Sequence, residues 1–258
     1  MSSNWSGYVL SGARFTSVSG SFTVPALGIT APAMSAGAPT SSTFCEWVGI
    51  DGYASDPSTS PPESGRTGAR TLLQAGIDEV PNGGGKRYIK AWWERYPAGQ
   101  IPFGGVEAQP GDTVSVSLRQ VHRGLWSVSL ADLTTKQAGN VTVGYGGAAR
   151  SAQWIVEADA PAGAGPAPPS LAPFEPAVVF SDASFRSTEG PSSSAGPTSA
   201  GPTSAGPTSA GTVLSATRLT MVQDGSTVSE PSLASAGRFT VTYEAPATRT
   251  PATAGAPH

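Results

Sequence analysis

Carboxylates and side-chain amides are the groups in this sequence that could do chemistry. The chain has two histidines, His122 and His258, and one cysteine, Cys45. Two-histidine zinc sites, a disulfide framework and iron–sulfur ligation do not fit that composition, and no metal or cofactor is expected. His122 stands beside Arg123 near an expected turn, and no Gly-x-Ser-x-Gly elbow is present. Cys45 reads as a packed thiol rather than a nucleophile.

Residues two apart on a strand share a face, so alternation sorts the remaining candidates. Gln74 and Asp78 share one face of a run from Leu72. Tyr88, Lys90, Trp92, Glu94 and Tyr96 share a second, Trp47 and Asp51 a third, and Gln153 and Glu157 a fourth. If these faces coincide, they form a cleft with aromatic walls and a carboxylate cluster. Glu157 is the most telling of them, because the apolar run Trp154-Ile155-Val156 needs a reason to end in a carboxylate. An ionised carboxylate can take a proton from water, and an amide can donate to an oxyanion at any pH. Alternatively, Glu94 and Glu157 could be the paired carboxylates of a glycoside hydrolase, with tryptophans stacking on sugar rings. The same aromatics without an acid–base pair would make a carbohydrate-binding module. The plain reading is a solvated strand face over core aromatics.

Short period-two runs recur between Gly/Pro/Ser clusters and predict an all-β fold, an antiparallel sandwich or barrel. Strands are expected at 15–24, 44–50, 71–77, 87–96, 113–121, 125–130, 140–143, 152–156, 177–185, 216–222 and 239–243. Asn82-Gly83 and Asp224-Gly225 mark hairpins. From Gly196 the pentapeptide Gly-Pro-Thr-Ser-Ala repeats three times. One domain over 1–245, interrupted by a flexible insertion at about 187–212 and followed by a disordered tail at 246–258, is the organisation expected.

The chain has 258 residues, 13% of them charged, with 15 Lys+Arg against 18 Asp+Glu. That balance argues against a nucleic-acid partner, and no apolar run is long enough to span a membrane. Low charge with abundant Gly, Ser and Thr reads as a secreted protein whose leader is absent from this chain, acting as a monomer. Asn4-Trp5-Ser6 and Asn140-Val141-Thr142 are glycosylation sequons.

Five motifs occur in order: Asn4-Trp5-Ser6-Gly7, Trp47-Val48-Gly49-Ile50-Asp51-Gly52, Leu73-Gln74-Ala75-Gly76-Ile77-Asp78, Ala91-Trp92-Trp93-Glu94-Arg95-Tyr96-Pro97 and Gln153-Trp154-Ile155-Val156-Glu157. Together they resemble the glutamic peptidase (eqolisin) family of acid endopeptidases, from Asn4 to about Tyr243. The resemblance implies two bent seven-stranded antiparallel sheets, a concave cleft for a polypeptide substrate, and a catalytic pair that falls here on Gln74 and Glu157. It implies supporting or substrate-binding roles for Trp47, Asp51, Asp78, Trp92, Glu94 and Tyr96. A loop at 98–105 would fold over the cleft as a lid, or be a plain hairpin.

Three positions depart from the family pattern: Lys90, Gln153 and Ala158 stand where acids are usual. With Lys90 and Gln153 modulating its pKa, Glu157 is expected to be less raised than in fungal members, with activity at less acidic pH. The 53–65 loop carries Asp56 and Glu63 without a calcium-loop spacing, so solvent exposure is expected there.

Overall fold

A computed structural model describes residues 1–27, 42–53, 71–81, 87–159, 169–188 and 215–245. Its strands are β1 (Trp5–Ser11), β2 (Phe15–Thr23), β3 (Ala26–Leu27), β4 (Ser42–Asp51), β5 (Leu72–Pro81) and β6 (Arg87–Tyr96). There follow β7 (Gln100–Pro102), β8 (Thr113–His122), β9 (Leu125–Asp132), β10 (Ala138–Gly144), β11 (Ser151–Glu157) and β12 (Ser170–Leu171). The last are β13 (Phe174–Glu175), β14 (Val178–Ser187), β15 (Ser215–Leu219), β16 (Met221–Gln223), β17 (Ser226–Pro231) and β18 (Phe239–Tyr243).

They build the expected sandwich. One sheet runs β15-β1-β11-β4-β5-β6-β7 with β12 beside β4, the other β10-β9-β8-β2-β14-β18-β17-β16, and β3 pairs β13. Counting the short pieces, each large sheet has eight strands. Every ladder between named strands is antiparallel except β12 on β4.

Alternation explains most of the layering. In β9, Trp126, Val128 and Leu130 point into the core while their neighbours are half-exposed. Val48, Ile50, Leu73, Ala75, Ile77, Trp154 and Val156 line the inner face of the first sheet. Phe22, Val116, Phe180 and Phe239 oppose them, with the Phe180 and Phe239 rings stacked at 4.8 Å. Each such side chain contributes about 1.5–3 kcal/mol by leaving water.

β1 was not expected because all seven of its residues are buried, so it shows no alternation. The run expected over 216–222 breaks at Thr220 and changes sheets: β15 pairs β1, and β16 pairs β17. Asp224 (φ 50°) and Gly225 (φ 76°) both adopt left-handed backbone and close the β16–β17 hairpin, as the Asp-Gly signal implied.

The 98–105 segment is a hairpin, not a loose lid. β7 extends the sheet edge beside β6, Phe103 is buried, and its N–H donates to the Ala91 carbonyl. The Asn82-Gly83 turn, the 54–65 part of the loop after Tyr53, the repeats and the tail lie outside the described residues.

Candidate active site

Strand register lines the candidates up on the outer face of the first sheet, away from the inter-sheet core. One row across β1, β11, β4, β5 and β6 is Trp5, Glu157, Cys45, Asp78 and Lys90. The next is Gly7, Ile155, Trp47, Gly76 and Trp92; the third is Val9, Gln153, Gly49, Gln74 and Glu94. The four faces coincide.

Trp5, Val9, Cys45, Trp47, Leu72, Trp92, Ile155 and Leu219 pack as a second apolar cluster on this face, with Tyr53 and Tyr96 against it. Gly76 makes the packing possible. A Cβ there would lie 2.1 Å from the Glu46 carbonyl oxygen and 2.6 Å from Trp47 Cβ. The Trp5 and Trp47 rings meet edge to face at 5.1 Å. Trp47 and Trp92 are both 0% exposed. They therefore cannot wall subsites or stack on sugars, and their work is done by their indole N–H groups.

Trp47 Nε1 donates to Glu157 Oε2 at 2.8 Å, and Asn4 Nδ2 donates to Glu157 Oε1 at 2.9 Å. Each carboxylate oxygen is thus held by one neutral donor. Burial pushes the Glu157 carboxyl well above its ordinary range. Negative charge on Asp159 and Glu94 adds to this, while the Trp5 and Trp47 indoles pull it down. Trp5 Nε1 reaches no acceptor at hydrogen-bonding geometry, so Trp47 is the indole that bonds the carboxylate.

Gln74 is 6% exposed, and its Nε2 donates to Glu94 Oε2 at 2.5 Å while its Oε1 has no partner. Gln74 and Glu157 share the face, two strands and four residues apart in register. Glu94 connects them, accepting from the Gln74 amide and acting through its charge on Glu157.

Asp78 Oδ1 accepts from Trp92 Nε1 at 2.6 Å. Burial and the Asp159 charge push Asp78 up to about 7, against Lys90, Gln100 and Trp92, which lower it. Lys90 Nζ donates to Gln100 Oε1 at 2.8 Å, and Gln100 Nε2 approaches Asp159 Oδ2 at 3.4 Å. Lys90 thus faces Asp78 across the ladder, and Asp159 supplies a negative charge one residue beyond Ala158.

The other expected residues have structural partners. Asp51 accepts from Tyr145 Oη (2.7 Å) and from the backbone N–H groups of Ala149 (2.8 Å) and Arg150 (2.7 Å), tying down the chain before β11. Gln153 is 0% exposed and donates to Ser151 Oγ at 2.6 Å. Among the described residues, no three His, Cys, Asp or Glu side chains are placed to hold a metal ion.

Sequence reasoning missed Asn4, Gln100 and Asp159. Asn4 sat in a quoted motif, yet only the pairing of β1 with β11 shows that it reaches Glu157. Its side chain is committed there, whereas Asn140 of the other sequon is exposed.

A profile of the peptidase A4 family matches residues 3–243. Aspergillopepsin-2 of Aspergillus niger is 30% identical over 261 residues, covering 94% of this chain and 78% of that one. Scytalidopepsin B of Scytalidium lignicola is 31% identical over 135 residues, 52% of this chain and 42% of the relative. In fold, the chain is similar to scytalido-glutamic peptidase solved with a transition state analog inhibitor. That match has a TM-score of 0.66 at 23% identity and covers 94% of this chain and 98% of that one. The glycoside hydrolase and carbohydrate-binding alternatives find no support in these relatives.

Proposed function

The chain belongs to the peptidase A4 (eqolisin) family and is an endopeptidase, and we propose that Glu157 and Gln74 are the groups that hydrolyse the peptide bond. The observation that carries this reading is the two-point suspension of the Glu157 carboxylate by Asn4 and Trp47 on the face that also presents Gln74.

Ionised Glu157 takes a proton from water as the water oxygen attacks the scissile carbonyl. One hydrogen of the Gln74 amide is held by Glu94, which leaves the second to donate to the developing oxyanion. Because burial raises its proton affinity, Glu157 retains the proton through the tetrahedral stage. It then delivers that proton to the leaving nitrogen as the C–N bond breaks.

As pH falls through about 7, Asp78 becomes neutral and one negative charge leaves the face. The Asn4 and Trp47 donors favour the ionised form of Glu157 against its burial. Lys90 acts on this face by way of Asp78, whereas Gln153 is engaged with Ser151. Trp47, Trp92, Asp78 and Glu94 orient the pair. Asp51 and Tyr96 support the end of the face where the strand row Asp51–Leu72–Tyr96 lies.

The substrate is polypeptide. We read the enzyme as an extracellular monomer, a reading supported by its low charge content. No helix among the described residues is long and apolar enough to cross a membrane.

The test is turnover of an unfolded protein substrate by Glu157→Gln and Gln74→Ala, with folding checked by circular dichroism. Glu157→Gln should lower kcat about 10³–10⁴-fold, as for loss of a general base, and Gln74→Ala should lower it about 10²–10³-fold, as for other oxyanion donors. Wild-type kcat in either variant would refute the assignment.

A further inference from the structure

The three residues before β1 are pinned in place although they belong to no strand. Ser2 N–H donates to the Thr220 carbonyl at 3.0 Å, and Val222 N–H donates to the Ser2 carbonyl at 2.8 Å. Gln223 Nε2 donates to the Ser3 carbonyl at 3.1 Å. Trp5 N–H donates to Ser2 Oγ at 3.0 Å, and Ala158 N–H donates to the Asn4 carbonyl at 2.9 Å. The segment is therefore tied at one end to the point where the chain crosses between sheets, and at the other to the residue after Glu157.

Asn4 is the outcome of that anchoring. It is 9% exposed, and its amide nitrogen meets Glu157 Oε1 at 2.9 Å, opposite the Trp47 donor on Oε2. A carboxylate with one donor can rotate about its terminal torsion, which is broad for glutamate. A second donor on the other oxygen fixes its plane, and with it the lone pairs left for water.

We propose that Asn4 is a positioning residue for the peptidase reaction, delivered by the N-terminal clasp, which fixes the plane of the Glu157 carboxylate relative to the attacking water. The inference rests on the assignment of Glu157 as the general base. Asn4 acts through Glu157, whose Oε1 accepts from its amide nitrogen. Misplacing a reacting group by about 1 Å can cost on the order of 10²-fold in rate.

The test compares Asn4→Ala and the near-isosteric Asn4→Asp with wild type in the full chain, measuring kcat, KM and the pH profile on an unfolded protein substrate. Asn4→Ala should lower kcat about 10- to 100-fold with KM within about twofold. Its acid limb should move to higher pH, because a donor that favours the ionised carboxylate is gone. In Asn4→Asp, the new carboxyl can donate only while protonated, so activity should be retained best at the acid end and fall more steeply than wild type as pH rises. That variant keeps the side-chain shape and decides the matter if Asn4→Ala does not fold. Unchanged kcat and pH profile in a folded variant would overturn the inference. If Glu157→Gln is inactive while both Asn4 variants behave as wild type, only the role of Asn4 falls. If Glu157→Gln is active, the catalytic assignment falls first.

Discussion

Glu46 lies on β4 between Cys45 and Trp47, which face outward, but points the other way, into the inter-sheet core. It is 0% exposed, and neither side-chain oxygen has a hydrogen-bond partner. β5 turns Glu79 toward it, while the inward residues of β2, β8 and β11 are apolar, among them Phe22, Val116 and Val156. Burial, with the Glu79 charge second, pushes the Glu46 carboxyl well above its ordinary range, so the folded chain holds it neutral. The sign follows. Below the unfolded-state value the proton is bound in both states and the folded state keeps its full stability. Above it the unfolded chain ionises Glu46 and the folded chain does not, so stability falls as pH rises until the folded-state value is passed. The slope is about 1.4 kcal/mol per pH unit over the range in which only the unfolded chain is ionised. Glu46→Gln removes the titration and keeps the shape. Denaturant unfolding at pH 4 and pH 7 should show the variant gaining on wild type as pH rises, by about 1.4 kcal/mol for each pH unit over which the folded carboxyl stays neutral, with Tm moving in the same direction. An equal difference at both pH values would refute the reasoning, because it would mean that Glu46 has the same charge folded and unfolded.

Three further outcomes are expected. Asp159→Asn removes a charge that raises both Glu157 and Asp78, so the acid limb of kcat/KM should move to lower pH; a pH profile checks this. Lys90→Met removes the cation that holds Asp78 down, so a carboxyl carbon NMR titration should find Asp78 above its present value of about 7. Gly76→Ala drives a methyl into the Glu46 carbonyl and Trp47 Cβ, and should cost about 1–3 kcal/mol of stability or more in denaturant unfolding.

The half-buried strands were legible because their alternation is strong, and so were the shared faces of Gln74 with Asp78 and of Trp92 with Glu94. β1 was not, because a strand buried on both faces carries no period. The short β7 was hidden in a Gly/Pro-rich stretch, and the break at Thr220 leaves no mark in an otherwise continuous run. At the site, the carboxylate ending an apolar run pointed to Glu157, and the family resemblance added Gln74. The partners came from long-range pairing: Asn4 reaches Glu157 across 153 positions, and Trp47 across 110. Periodicity assigns Trp47 and Trp92 to a face but cannot say that their rings are covered and their N–H groups alone are at work. Lys90 was read against Glu157, whereas register sets it opposite Asp78.

The most direct test of the catalytic pair is a double-mutant cycle on kcat with Gln74→Ala, Glu157→Gln and the double variant, all verified as folded. If both groups serve one attacking water, the double variant should lose little more than Glu157→Gln alone. Full turnover in either single variant, or losses that multiply as for independent sites, would contradict the account.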